Sequence, residues 1–499
     1  MAIKKSIVLV TVDCLRSDHV GFMGYERLTT PFLDSMAAAH FVVPTAIVAG
    51  APTYYSLPAI TASRFPLALG RDVLGLGPEE PTLASVLKSA GYATAAFAAG
   101  NPYLSIRFGY ERGFDTFRDY LDGNEPTTKS EQPPVTTNGW ASRLNRRLQE
   151  IRPSLGPLGT LYDALYFEYC QRVAPAPASL DSLRRFPAAD VIVDDACNWL
   201  AKQSGAPFFL WLHLMDPHSP YCPKDAALSL IGQKPISAFR ARYVNSYWNR
   251  SDLGRKRLQR HRDEVVALYD AGIRWVDEQM KRLVDSLRRS NRWDDCIFVL
   301  TADHGEEFLD HGGRYHAPSR LMEELTHVPL LLRVPGLQKR EVSKGPFSLI
   351  HLAPTLLDAA ELSSPAEFYG QSYLEKLERG GAFNDVAISE CVVGCGNPFH
   401  PGSRMGPRVL SVRESRYKLV FRFDPAAENL YDLEADPREQ KPLAPIAQKP
   451  MRRRLLEVAR EHLQRSIEQS VSRTCVQAHL RDLQIEWNNA PDKASPVAS

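Results

Sequence analysis

The 499-residue sequence predicts an α/β fold. A large, mainly parallel sheet carries helices on both faces, and a small antiparallel sheet follows at the C-terminal end. Two observations lead there. Continuous apolar runs rich in β-branched residues alternate with helical patterns over most of the chain. Three of those runs also deliver reactive side chains: 6–12 stops at Asp13, 207–214 contains His213 and leads to Asp216 and His218, and 296–302 leads into Asp303-His304-Gly305-Glu306. Open α/β sheets place their chemistry at the carboxyl ends of their strands.

The elements follow in order. After the first strand a helix is expected at 30–39, where Thr30-Pro31 puts proline in the first turn. Gly50-Ala51-Pro52 turns the chain into a helix start at Thr53. A helix at 81–90 precedes a strand at 92–98, and one at 187–203 precedes the strand at 207–214. The stretch 259–289 carries Val265, Leu268, Ile273, Val276, Met280, Leu283 and Leu287 at helical spacing. Strands at 296–302 and 328–334 complete a catalytic α/β domain over 1–364. Two segments break the alternation, 122–186 (with the Pro/Thr/Ser/Asn-rich Glu125 to Asn138) and 222–258, and both read as irregular insertions. Short strands at 386–390, 408–413 and 417–422, with an amphipathic helix near 450–470, form an α+β subdomain over 365–485. Residues 486–499 read as a disordered tail.

Composition narrows the function. Apolar content of 44% and charged content of 24% are those of a globular protein, and a net charge of +2 gives no footprint for nucleic acid or an acidic membrane. The N-terminus lacks a secretory pattern, and no window approaches the roughly 20 apolar residues of a membrane span. The eight cysteines are scattered, with only Cys391 and Cys395 close together, so reduced thiols and a cytoplasmic location are expected. A homo-oligomer is compatible with this composition.

Asp13, Asp303 and His304 at neighbouring strand ends are the residue types of a divalent-metal site. His213 and His218 flank Asp216 on a second strand end, and Asp310-His311-Gly312-Gly313-Arg314-Tyr315-His316 adds a histidine-bearing loop. A hydroxyl at the start of the helix at Thr53 lies where backbone N–H groups attract an anion. Coordinated to a metal, it would lose its proton readily. The competing reading makes Thr53 or Ser56 a helix cap.

The chain resembles the sulfatase branch of the alkaline-phosphatase superfamily over most of its length. The resemblance rests on an ordered set of segments. Val12-Asp13-Cys14-Leu15-Arg16-Ser17-Asp18 comes first, then Gly24-Tyr25, Thr30-Pro31 and Leu33-Asp34. Tyr269 to Asp277 and Thr301 to Glu306 follow, then His327-Val328-Pro329, His351 to Asp358 and Leu430 to Pro437. Ordinary sulfatases carry Cys/Ser-x-Pro-x-Arg, whose first residue is oxidised to formylglycine. Here that stretch reads Ser56-Leu57-Pro58-Ala59-Ile60 and lacks the arginine. Thr53-Tyr54-Tyr55-Ser56-Leu57-Pro58 instead resembles the Thr-x-x-Ser-x-Pro of phosphoethanolamine transferases, in which the threonine is the nucleophile. Their histidine pair five residues apart matches His213 and His218. Asn101 replaces the sulfate-binding lysine of the sulfatases, and Cys14 stands where they often carry a second aspartate.

The resemblance implies a metal-dependent enzyme that cleaves a phosphate, phosphonate or sulfate ester of a small molecule, glycan or lipid through Thr53. Phosphorus is favoured over sulfur, because formylglycine's route for releasing sulfate is missing. Asn101 and His218 would hold the non-bridging oxygens, with Ser56, His316 and Arg64 around the substrate, and His213 or His218 would protonate the leaving group. One nitrogen among the metal ligands favours Mn²⁺ or Zn²⁺ over Ca²⁺ or Mg²⁺. The alternatives are a phosphoethanolamine-type transferase and an inactive binding protein.

Overall fold

Seven strands form the central sheet: β1 (Ser6–Val12), β2 (Phe41–Val42), β3 (Ala93–Ala98), β4 (Thr116–Arg118), β5 (Phe208–Leu214), β6 (Cys296–Ala302) and β7 (Leu330–Arg333), in the spatial order β2-β7-β6-β1-β5-β3-β4. The computed structural model describes residues 4–70, 73–121, 157–203, 205–342, 345–381, 383 and 386–469. Glu125 to Asn138 and the tail 486–499 lie outside the described residues. β1 pairs in parallel with β5 on one side and β6 on the other, and every residue of all three strands is buried. Burial on both faces is why these strands read as unbroken apolar runs rather than alternating ones. β7 runs antiparallel to β6, and β2 antiparallel to β7. The sheet is therefore mainly parallel with an antiparallel edge.

Register decides where the chemistry goes. Val12 is level with Leu214 on β5 and with Ala302 on β6. The residues that follow, Asp13 and Asp303, emerge side by side from adjacent strands. His213 is level with Thr11 on one side and with Ala98 on the other, just before Gly100-Asn101.

The helix Arg262–Arg289 packs against Pro31–Ala39, Ala189–Leu200 and two helices, Asp225–Leu230 and Ala238–Trp248, in the segment expected to be irregular. That expectation is corrected. Ala241, Val244 and Trp248 bury one helical face, but the intervening Arg, Tyr and Asn dilute the pattern. In 122–186, Pro157–Val173 is likewise helical. The long helix also caps its neighbour: the Asp277 carboxylate accepts from the amides of Phe32 and Leu33 at 3.0 and 2.9 Å. It thus satisfies two of the orphan donors at that helix start.

The strand expected over 328–334 is shorter, because His327–Val328 leaves the main sheet to pair with Ala46–Ile47. Four antiparallel strands, β8 (Ala387–Val392), β9 (Arg408–Arg413), β10 (Tyr417–Arg422) and β11 (Ala427–Asp432), form the C-terminal sheet in that spatial order. The last was not expected. Leu455, Leu456, Ala459 and Leu463 of the helix Lys449–Gln469 close a core with Leu410, Val412, Leu419 and Phe421. The sheet is tied to the first part of the chain: the Glu390 amide donates to Ala49 O at 2.9 Å and Ser389 Oγ to Val48 O at 2.5 Å. All seven cysteines among the described residues are free thiols. Among those residues no helix is long and apolar enough to cross a membrane.

Candidate active site

Asp13 and Asp303 are both fully buried at the sheet edge. His304 Nε2 lies 3.8 Å from Asp13 Oδ1 and 3.5 Å from Asp303 Oδ2. Donor atoms around a tetrahedral ion with bonds of about 2.0–2.3 Å stand about 3.3–3.8 Å apart, the range of both His304 distances, and Asp13 and Asp303 also form a group with His213 whose donor atoms lie within 4.8 Å of one another. Two further observations fit a cation. Asp303 Oδ2 is buried with no hydrogen-bond partner among the described residues. Burial and the facing Asp13 together push the Asp303 carboxyl up. Burial also works against the Asp13 charge, yet His218, His213 and His304 hold that carboxyl well below the usual range.

The imidazoles are oriented from behind. His304 Nδ1 donates to Gly305 O at 2.8 Å and His218 Nδ1 to Ser219 O at 2.5 Å, so Nε2 of each ring lies on the side away from its backbone anchor. Such backbone anchoring fixes tautomer and ring direction at metal sites. Gly305 cannot be replaced cheaply: a Cβ there would stand 1.9 Å from Glu324 O. His213 is fully buried beneath Asp13, with Nε2 3.3 Å from Asp13 Oδ2 and Nδ1 2.9 Å from Thr11 Oγ1. Trp211 Nε1 donates to the same Thr11 hydroxyl at 3.0 Å. His213 thus stands as a partner of Asp13. His316 pairs with Glu306 at 3.1 Å, and although burial opposes its charge, Glu306 holds the imidazole up at about 9. Burial keeps His218, 5.1 Å away between ring centroids, below its ordinary value.

Thr53 opens the helix Thr53–Ala62. Its Oγ1 lies 3.2 Å from His304 Nε2 and 3.4 Å from Asp13 Oδ2. Ser56 Oγ, one turn on, donates to Thr53 O at 3.2 Å and is occupied within the helix. The Tyr55 and Ser56 amides close on Pro52 O, so those of Thr53 and Tyr54 stay uncommitted among the described residues. Asn101 Nδ2 donates to Asp13 Oδ2 at 3.0 Å, and Asn101 Oδ1 accepts from the Tyr103 amide.

Arg64 is a correction. Its guanidinium is spent on Glu80 and on the carbonyls of Phe65, Pro66 and Gly75, holding a turn together rather than facing the aspartates. Two others were given no role from the sequence. Cys14, in the left-handed region at φ 61°, sends Sγ to within 3.0 Å of Asp13 Oδ1 and 3.3 Å of His316 Nδ1. Glu306 accepts from Tyr221 Oη at 2.9 Å as well as holding His316. Its place in the Asp-His-Gly-Glu tetrapeptide was the available signal.

A mainly parallel sheet with paired strand-end carboxylates, a strand-end histidine and a hydroxyl at a helix start is the arrangement that the sequence resemblance implies, and the comparisons with known proteins place the chain among ester hydrolases. The sulfatase family profile matches residues 5–362, and that of the N-sulphoglucosamine sulphohydrolase C-terminal region matches 314–469. The chain belongs to the sulfatase family. It is 24% identical over 467 residues to an arylsulfatase of Clostridium perfringens, covering 87% of this chain and 89% of that protein. It is 27% identical to a choline-sulfatase of Rhizobium meliloti over 259 residues, about half of each chain (48% and 47%). The phosphonate monoester hydrolase of Agrobacterium radiobacter shares the fold, with a TM-score of 0.64 at 19% identity over 93% of this chain and 96% of that one.

Proposed function

We infer that the protein hydrolyses esters of sulfate, phosphate or phosphonate, with Thr53 displacing the alcohol to form an ester of its own that water then cleaves to restore the hydroxyl. The position of Thr53 Oγ1, at a helix start and within 3.4 Å of both Asp13 and His304, carries this reading. When bound, a divalent cation held by Asp13, Asp303 and His304 supplies the charge that eases loss of the hydroxyl proton and offsets that of the transferred oxyanion. The carboxylate and imidazole donors suit Mn²⁺ or Zn²⁺.

The chain's own groups do the rest. The Thr53 hydroxyl is aimed by its helix start, whose uncommitted amides favour a negative group. Asn101 Nδ2 and His218 contact the non-bridging oxygens of the ester. His213, anchored on Thr11, keeps the Asp13 carboxylate in place. His316 is held protonated by Glu306 and lies beside His304 and His218, so it delivers a proton to the departing alkoxide. The relatives include a choline-sulfatase and a phosphonate monoester hydrolase by name, which supports one site serving both sulfur and phosphorus.

The test is a panel of aryl sulfate, phosphomonoester, phosphodiester and phosphonate monoester, assayed on the metal-loaded protein alongside its intact mass. Turnover of at least one with an unmodified Ser56 is expected. An aldehyde at Ser56, or no turnover of any, would sink the reading. An aryl-sulfate kcat/KM ten or more times that of the matched phosphorus esters, about 1.4 kcal/mol, would remove the preference for phosphorus.

A further inference from the structure

Between the turn Ser17–His19, the start of the helix Arg262–Arg289 and the segment 433–440 lies a cavity of about 900 Å³ that the proposed chemistry does not use. Its charges do not cancel. The four carboxylates on its wall already have partners. Asp18 and Asp310 share the Arg16 guanidinium at 2.8 and 2.9 Å. Glu323 is held by Arg413 and by Lys418, the latter at 3.0 Å, and Glu324 by His311 at 2.7 Å. The arginines are in surplus. Among the described residues Arg255 and Arg438 make no ion pair and no side-chain hydrogen bond, although both line the cavity. Arg262 gives only Nε to Phe308 O, at 2.8 Å, and reaches Asp263 no closer than 3.9 Å. Two exposed guanidinium groups without an ion pair among the described residues, from regions far apart in sequence, therefore line one cavity, with Arg262 beside them.

We propose that this cavity is an anion site, separate from the catalytic centre, that takes a sulfate or phosphate group. Planar guanidinium forks match such oxyanions with paired N–H donors. A volume of about 900 Å³ also leaves room for the sugar or other small body carrying the group. Arg16 forms the partition: it braces Asp18 and Asp310 on the cavity side and donates to Glu306 O at 2.9 Å. The two sites are thus one side chain apart.

Selenate soaked into crystals of the whole chain should give an anomalous peak in contact with Arg255 or Arg438. The peak should vanish in the R255A/R438A protein, whose two exposed substitutions leave the fold alone. In solution, calorimetric titration with inorganic sulfate, inorganic phosphate and a sulfated disaccharide should show affinity falling at least about tenfold in the double variant, and partly recovering in R255K/R438K. Tighter binding of the disaccharide would assign the site to a group borne on a sugar, and equal binding to the free anion. No peak in the cavity, or affinities in the double variant within about twofold of wild type, would overturn the proposal.

Discussion

Thr53 and Ser56 are one helical turn apart, and what separates them is the partner each hydroxyl has taken. Ser56 is tied to a carbonyl of its own helix, whereas Thr53 faces Asp13 and His304. Thr53→Ala is therefore expected to lower kcat by about 10³-fold or more with metal content unchanged, and Ser56→Ala to stay within about tenfold, measured by steady-state kinetics and elemental analysis. Full turnover by Thr53→Ala would refute the assignment. Asp303 gives a prediction of opposite sign. Its carboxylate faces Asp13 and leaves one buried oxygen unpaired, an arrangement that costs stability unless a cation is present. Asp303→Ala should lose the metal, yet in chelator its melting temperature should equal or exceed that of wild type. A clear drop in chelator would show that Asp303 holds the fold together instead. The fate of Arg64 was not legible, since its partner Glu80 is set by how a turn closes and not by any local pattern.

At the scale of the element, strand ends were the most readable part of the chain. A parallel strand buried on both faces has little choice but an unbroken apolar run, and the polar residue that ends it marks the sheet edge. Asp13, Asp303 and His304 were placed at strand ends that way, and the structure brings them together. The direction of β7 was not readable, because Leu330-Leu331-Leu332 is as apolar as its parallel neighbours in the sheet, and so its antiparallel setting emerged only from the structure. Nor was the tightness after Asp303-His304. Gly305 passes so close to Glu324 that any side chain must push the loop away from the strand. Gly305→Ala should cost about 2 kcal/mol in denaturant unfolding and, by swinging His304 off its anchor, weaken metal binding at least about tenfold. Unchanged metal affinity would mean that the loop yields without moving the histidine.

For the whole molecule, the C-terminal sheet is joined to the rest through a buried charge. Glu390 on β8 accepts from the Leu67 amide at 2.9 Å and pairs with His462 at 3.1 Å and Arg408 at 3.6 Å. Burial alone would raise this carboxyl, but His462 and Arg408 hold it at about 2 instead of 4.5. A depressed carboxyl adds stability that is fully present above its unfolded value and is lost as pH falls towards its folded one. Glu390→Gln should therefore cost about 3 kcal/mol at pH 7, with the gap to wild type closing between about pH 4.5 and 2 in denaturant titrations. A gap independent of pH would make the residue's role one of packing. Short strands at close spacing over β8 to β10 announced an antiparallel sheet in advance, but Ala427-Glu428-Asn429 hid the start of β11, where only the last three residues are buried.

Thr53 also has a consequence for how the protein reaches working order. On the proposed mechanism the attacking hydroxyl is genetically encoded and requires no oxidising partner enzyme, so each chain should be competent once it has folded and been given a divalent ion. Protein made from purified translation components, with Mn²⁺ or Zn²⁺ added, should match the specific activity of material from cells. Expression in a host lacking any maturation machinery should carry no penalty.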